Sequence, residues 1–335
     1  MQRQIDIFIE PKDAFTVSGD VLALKYADRF YGIDAAAAEK LIQKGIDIRS
    51  QMPRQGGSRI FDTGSTMAVA HVLFVGVGYL YEFQYKEIRE FSRLVLASLS
   101  VSKARIRRLV VTLHGPGYGL DEVEAFESEI AGFIDGVTAG DYPKSLETIV
   151  IAERNLSRAQ RLQASLDELL PNGRIAISGF SGSKTLDQRA SDRLRDVGYE
   201  SSSKAHVFVA MPFAEEMDDV YHYGIQGAVK AAGFLCERAD LSSFTGDVMT
   251  WVKQRIDSAT LIIADLTGAN ANVYLEVGYA WGCKRPTVLL VRDTKDLKFD
   301  VRGQRCLHYK KSKILNNCFN KNWNNLSSQH CDQKS

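Results

Sequence analysis

No apolar run of 18 residues occurs anywhere in the 335-residue chain, so nothing in it reads as a membrane-spanning helix. Its first residues, MQRQIDIFIEPKD, hold no apolar stretch of signal-peptide length. Cysteine is scarce. The five present (Cys236, Cys283, Cys306, Cys318, Cys331) all follow residue 235 and show no CxxC spacing, which argues against a disulfide framework and against a zinc site. The six histidines form no HExxH or comparable ligand run, so no metal is expected and peptidase chemistry is disfavoured. Excess charge is also missing. With 42 basic and 41 acidic side chains the net charge is +1, and nothing asks for nucleic acid or a membrane surface as partner. These absences give the expectation of a cytoplasmic protein, with homo-oligomerisation left open.

What is present is ordinary for a globular chain: 45% hydrophobic and 25% charged residues. The length exceeds one comfortable core and suits two domains. Residues 1–170 alternate short apolar runs (VLALKYA, MAVAHVLFVGVG, IRRLVVTLHGPG, LETIVIAE) with amphipathic stretches (AAAAEKLIQKG, YKEIREFSRLVLASLSVSK, DEVEAFESEIAGFIDGV, SRAQRLQASLDELL), the pattern of an α/β layered domain. In one of these helices Ile88, Phe91, Leu94 and Val95 recur on one face, while Lys86, Arg89, Glu90 and Arg93 fill the other. Residues 171–204 are rich in Gly, Ser and charge and read as an interdomain linker, the alternative being a locally folded insertion. Residues 311–335, rich in Asn, Ser and Lys without amphipathic period, read as a disordered tail.

Residues 205–310 repeat a strand–helix cycle: HVFVAMPF, DDVYHYGIQGAVKAAG, FLCERAD, GDVMTWVKQRIDS, TLIIADLT, NVYLEVGYAWG and TVLLVRD. Near-continuous Val/Ile/Leu strands, each followed by a helix, indicate a parallel sheet covered on both faces, and right-handed crossovers make it an open doubly wound sheet of four or five strands. Such sheets bind ligands outside the carboxyl ends of their strands. That rule singles out Met211, Pro212 and Phe213, Arg238 and Asp240, Asp265 to Asn272, and Arg292 with Asp293.

Glu276 stands out among these segments. Val273, Val277 and Ala280 recur at helical spacing and should face the sheet. At about 100° per residue, Glu276 lies roughly 60° from Val273 and roughly 40° from Ala280, on the margin of the packed face. Either Asn270 or Asn272 can cap this helix. The helix dipole is expected to favour the charged carboxylate, which suits a nucleophile or a partner for a cationic transition state. The bland alternative is a glutamate that caps an amide or pairs with a surface lysine.

VFVAMPF, GIQGAVKAAGF, ERAD, ADLTGANANVYLEVGYAWGCKRPTVLL and FDVRGQRCLHY resemble the nucleoside 2-deoxyribosyltransferase-like proteins and the related TIR-like domains of bacterial antiphage systems. The resemblance implies a flavodoxin-like fold, a nucleotide or nucleoside as small-molecule partner, and an N-glycosidic bond as target. It implies Glu276 as nucleophile and NAD as a possible substrate, with no cofactor. The chemistry of such a cleavage further suggests Asp265 as a ribose-binding or protonating group, and the guanidinium of Arg238 makes it the candidate for a phosphate. The competing readings are an Asp265 that organises the Thr267 turn, a Phe213 that fills the core, and an Arg238 that pairs with an acid such as Asp240. Asn270, Asn272, Thr267, Met211 and Pro212 complete the expected substrate-binding set. Thr260 stands where several of the transferases carry an aspartate, and the AMPF loop replaces a glycine-rich one, which shifts the expectation from base exchange toward hydrolysis or plain binding.

Over residues 1–170, VSGDVLALKYA, LFVGVGYL and VVTLHGPGYGLDEVEAFESEIAGF resemble macro-like domains of the kind that precede the catalytic domain in leucine aminopeptidases. A three-layer α/β fold is implied, with a sensing or assembly task. The loop of Gly115, Gly117 and Gly119 could offer backbone amides to a phosphate, although Asp121 and Glu122 just beyond it would oppose an anion. The competing reading is a tight strand–helix turn.

Overall fold

The structure, a computed structural model, describes residues 4–170, 172–176, 188–238, 248–313 and 315–320. The chain divides into two compact units, residues 1–115 with 122–202 and residues 116–121 with 203–335. Among the described residues no helix is long and apolar enough to cross a membrane.

The first unit contains strands β1 (Gln4–Glu10), β2 (Gly19–Tyr26), β3 (Ser58–Asp62), β4 (Val69–Gly76), β5 (Arg108–Val111), β6 (Thr148–Ala152) and β7 (Arg174–Ala176), in the order β3-β4-β2-β5-β6-β1-β7. The inner pairings are parallel; β3 and β7 join the two edges antiparallel. Helices α1 (Ile33–Gln43), α2 (Tyr85–Ser100), α3 (Glu122–Ala139), α4 (Leu156–Leu169) and α5 (Gln188–Asp196) complete the layers. Val21, Leu22, Ala23 and Leu24 of β2 are all fully buried, as a parallel strand covered on both faces requires. This is the three-layer α/β architecture expected for the region. Helices α2 and α3 approach closely because Gly132 has no side chain: a Cβ there would lie 2.1 Å from the Arg89 carbonyl oxygen.

Two expectations for this unit need correction. Arg89, assigned to the solvent face of α2, is 5% exposed. Its guanidinium makes two bonds to Asp135 and donates to the carbonyls of Leu194, Arg195 and Val197. An arginine can leave the polar face in this way because the chain end of another helix supplies acceptors that periodicity cannot foresee. Those acceptors lie in the supposed linker 171–204, most of whose described residues belong to the first unit: β7 extends the sheet, and α5 is tied down by Arg89 and by an Arg193–Glu127 ion pair.

The second unit contains β8 (His206–Ala210), β9 (Leu235–Glu237), β10 (Leu261–Asp265), β11 (Thr287–Val291) and β12 (Cys306–His308), all parallel, in the order β12-β11-β10-β8-β9. Read in the unit's own strand numbers this is 2-1-3-4-5, the flavodoxin-like doubly wound order expected from the sequence, with its switch point between β8 and β10. After β8, α6 (Glu215–Asp219) runs through a π-helical segment, Val220–Gln226, into α7 (Gly227–Ala231). Gly233, in the left-handed region at φ +86°, ends the run. Helices α8 (Val248–Ser258) and α9 (Ala271–Gly282) follow β9 and β10. Since β8→β9 and β10→β11 run in opposite directions along the sheet, right-handed crossovers put α6–α7 on one face and α9 on the other.

The expected disordered tail also needs correction over its first part. Residues 312, 313 and 315–320 are helical, and Leu315 and Phe319 are buried in the core with Val207, Ile225 and Leu290. The helix fits because Gly224 leaves room: a Cβ there would sit 3.2 Å from Leu315. Residues 321–335 lie outside the described residues.

Candidate active site

At the switch point the carboxyl ends of β8 and β10 open toward the loops that the sequence singled out. Asn270 is the N-cap of α9, its side chain accepting from the Asn272 amide at 2.9 Å. Gly268, at φ +74°, makes the sharp turn into the helix, and its amide donates to Asp296 at 2.8 Å. The helix then buries Val273, Glu276, Val277 and Ala280.

Glu276 is 5% exposed. Among the described residues no hydrogen bond or ion pair engages it, and burial pushes its pKa up to about 8. The expectation that the helix dipole would hold it charged is thereby overturned. The dipole acts within the first turn; Glu276 lies beyond it, where desolvation of an uncompensated carboxylate dominates.

Asp265 is fully buried with both oxygens engaged. One accepts from the Thr267 amide at 3.0 Å and the other from the Tyr309 hydroxyl at 2.5 Å. Tyr309 packs in the core on the α6–α7 face, so Asp265 and Glu276 attach to opposite sides of the sheet. The geometry gives Asp265 a structural task, organising the Thr267 turn and anchoring the β12 end, and does not join it to Glu276. Burial and the neighbouring Asp265 charge both raise the Tyr309 hydroxyl pKa. Tyr309→Phe removes a buried hydrogen bond to a carboxylate and should cost roughly 1.5–3 kcal/mol. Urea unfolding checks this; an unchanged midpoint would remove the anchoring role.

The remaining residues form a second group. Arg238 follows β9 with its guanidinium carbon 4.3 Å from the Phe213 ring centre and 4.1 Å from that of Tyr221. It also reaches the Met211 sulfur at 3.8 Å and Asp218 at 3.3 Å. Phe213, 39% exposed, therefore stacks on Arg238 rather than filling the core. Arg238 does pair with an acid, Asp218; Asp240 lies outside the described residues. Pro212 is half-buried beside Met211, and Asn272 is exposed. The Thr267 hydroxyl accepts from the Arg292 amide at 3.1 Å. Sequence reasoning missed Tyr221, Asp218 and Tyr309. The first two lie on a helix whose π-helical stretch departs from the 3.6 period used to assign faces, and only Tyr309 fell in a segment noticed for resemblance.

The glycine loop at residues 115–119 serves as a structural turn. Gly115 and Gly119 sit at φ +110° and +112°. Within the second unit the Gly119 carbonyl accepts from the Arg238 amide at 3.0 Å, and Asp121 accepts from the Cys236 amide at 3.1 Å and pairs with Lys230. A Cβ at Gly117 would meet nothing within 4 Å. Beyond Gly119 the segment holds the end of β9, which replaces the expected second ligand site.

Among the described residues no three His, Cys, Asp or Glu side chains converge as metal ligands would. No protein-family model and no curated protein matches the sequence. Solved structures resemble about half of it. The Oceanobacillus iheyensis macrodomain with ADP is 14% identical, covering 51% of this chain and 98% of its own, at a TM-score of 0.39. A Trypanosoma brucei macrodomain in complex with ADP is 16% identical, covering 48% of this chain and 68% of its own, at a TM-score of 0.36.

Proposed function

We propose that the second unit hydrolyses the N-glycosidic bond of a nucleotide or nucleoside, NAD included among the candidates, with Glu276 as nucleophile. The observation that carries the reading is Glu276 itself: a carboxyl 5% exposed, without partner among the described residues, on the helix beside the switch point. A buried, unpaired carboxyl costs stability, and perturbed groups of this kind gather at functional sites.

The chemistry follows from the position. The Glu276 carboxylate attacks the anomeric carbon as the carbon–nitrogen bond breaks, and the bonding electrons leave with the base, which takes a proton from solvent unless, like the nicotinamide of NAD, it leaves already neutral. Water then attacks the glycosyl ester, its oxygen going to the anomeric carbon and one of its protons to solvent, and the carboxylate is regenerated. Asp265, with both oxygens engaged, takes no part in this scheme. The first unit keeps the sensing or assembly task expected of it. An antiphage role extends the reading, on the company such domains keep; phage plating on cells making wild type or Glu276→Gln protein tests it.

Purified protein incubated with NAD, NADP, nucleosides and deoxynucleotides, with free base followed by chromatography, tests the activity. Because the nucleophile must be ionised and its pKa is about 8, kcat/KM should rise about tenfold per pH unit below that value and level off above it. A profile that falls through pH 8 would make Glu276 an acid and end its role as nucleophile. Silence toward every substrate, with a ligand still raising the melting temperature, would favour a binding sensor.

A further inference from the structure

We infer that the substrate of this site carries a phosphate and that Arg238 holds it, so that a phosphorylated nucleoside is bound in preference to a free one. The nucleoside part rests on the function proposed above; the phosphate rests on Arg238.

Two other arginines with little exposure have spent their donors. Arg255 grips Glu237 with two bonds of 2.7 and 2.6 Å, and Arg89 combines Asp135 with three carbonyls. Arg238 has not. Its side chain is 11% exposed, yet it makes one contact of 3.3 Å to Asp218, itself 45% exposed, and one long contact to sulfur. Among the described residues its other guanidinium donors have no acceptor. No nitrogen of Arg238 is both buried and without a partner, so its free donors are ones that solvent, and hence a ligand, can reach.

The geometry also selects the ligand. Phe213 and Tyr221 lie against the guanidinium, so an incoming group approaches its edge rather than a stacking face. An edge with parallel N–H donors matches the oxygens of a phosphate. The fork is held in advance by the two rings and by the Arg238 amide bonded to Gly119, which lowers the entropy lost on binding. Asp218 can turn into solvent to make way. Glu216 and Asp219 on the same helical run are exposed, where solvent screens their charge. β9 ends two strands, roughly 10 Å, from β10, so one small ligand across the end of β8 reaches both Arg238 and the side of the sheet that carries α9.

The test is calorimetric titration of the full-length Glu276→Gln protein, which separates binding from turnover. The probes are matched pairs of nucleoside and nucleoside 5′-monophosphate with each common base, and inorganic phosphate. For the base the site accepts, the monophosphate should bind roughly 10–100-fold tighter than the nucleoside. Adding Arg238→Gln should erase that advantage and leave nucleoside affinity unchanged, while Arg238→Lys, which keeps the charge without the fork, should retain part of it. Equal affinities with Arg238 intact, an advantage that survives Arg238→Gln, or no binding of any probe would each overturn the inference. Arg238-dependent phosphate binding without base release by wild type would leave the inference standing and end the glycosidase reading. Base release with no preference for phosphate would do the reverse.

Discussion

Glu276→Gln protein should lose base release by on the order of 10³-fold or more, because the amide cannot form the glycosyl ester. The substitution is nearly isosteric and removes a buried ionisable group, so loss through misfolding is not expected. Its second signature is thermodynamic. The folded-state pKa of about 8 lies above the ordinary value of 4.5, so the stability linked to this proton is fully present below the unfolded value and is lost as pH rises through about 8. The Gln variant carries no such proton and should unfold at higher denaturant than wild type at pH 9. Base release within tenfold of wild type, from a folded variant, would sink the nucleophile assignment.

The other large effect concerns Glu129 in the first unit. Helix α3 buries four glutamates. Glu122 pairs with Arg158 and Arg161, Glu124 accepts from Ser201, and Glu127 pairs with Arg193. Glu129 is fully buried and neither oxygen makes a hydrogen bond. Burial pushes its pKa up to about 8, with the nearby His114 amide acting in the opposite direction. The sign is the same as for Glu276: wild-type stability should fall between pH 4.5 and about 8 as the unfolded chain ionises and the folded one does not, then level off. The full fall is on the order of 5 kcal/mol for this one group, an upper bound since local opening would admit water. Glu129→Gln should remove that part of the slope, making the variant more stable than wild type at pH 9. Urea titrations of both proteins at pH 5, 7 and 9 decide it, with Glu276→Gln as the parallel case in the other unit. Identical pH slopes would mean that a donor or solvent reaches Glu129.

Glu129 and Glu276 show how unevenly the sequence reveals chemistry. Glu276 was visible because its helix has a simple apolar face and a carboxylate stood at its margin. Glu129 sits in a run, EVEAFESEIAGF, whose alternating acids look like an exposed face. Two of those acids pair with arginines and a third accepts from Ser201, all 36 or more positions away, and no local period encodes such partners.

The second sheet was legible for a physical reason. Strands buried on both faces must be apolar throughout, and right-handed crossovers leave few ways to order them, so HVFVA, TLIIAD and TVLLV determined a doubly wound sheet and the edge at which ligands bind. Capping of α9 by an Asn and the near-core position of Glu276 also followed from spacing alone. Tertiary structure decided the rest. It buried Arg89 by bringing α5's carbonyls to it, and it ordered residues 315–320 by offering Leu315 the space beside Gly224. It gave Asp265 to Tyr309 on the far face of the sheet, and through a π-helical turn it set Tyr221 against Arg238. Each of these depends on a partner distant in the chain, and on whether a polar group finds that partner or is left without one. Periodicity reports which face of an element is buried; it carries no information about what meets that face.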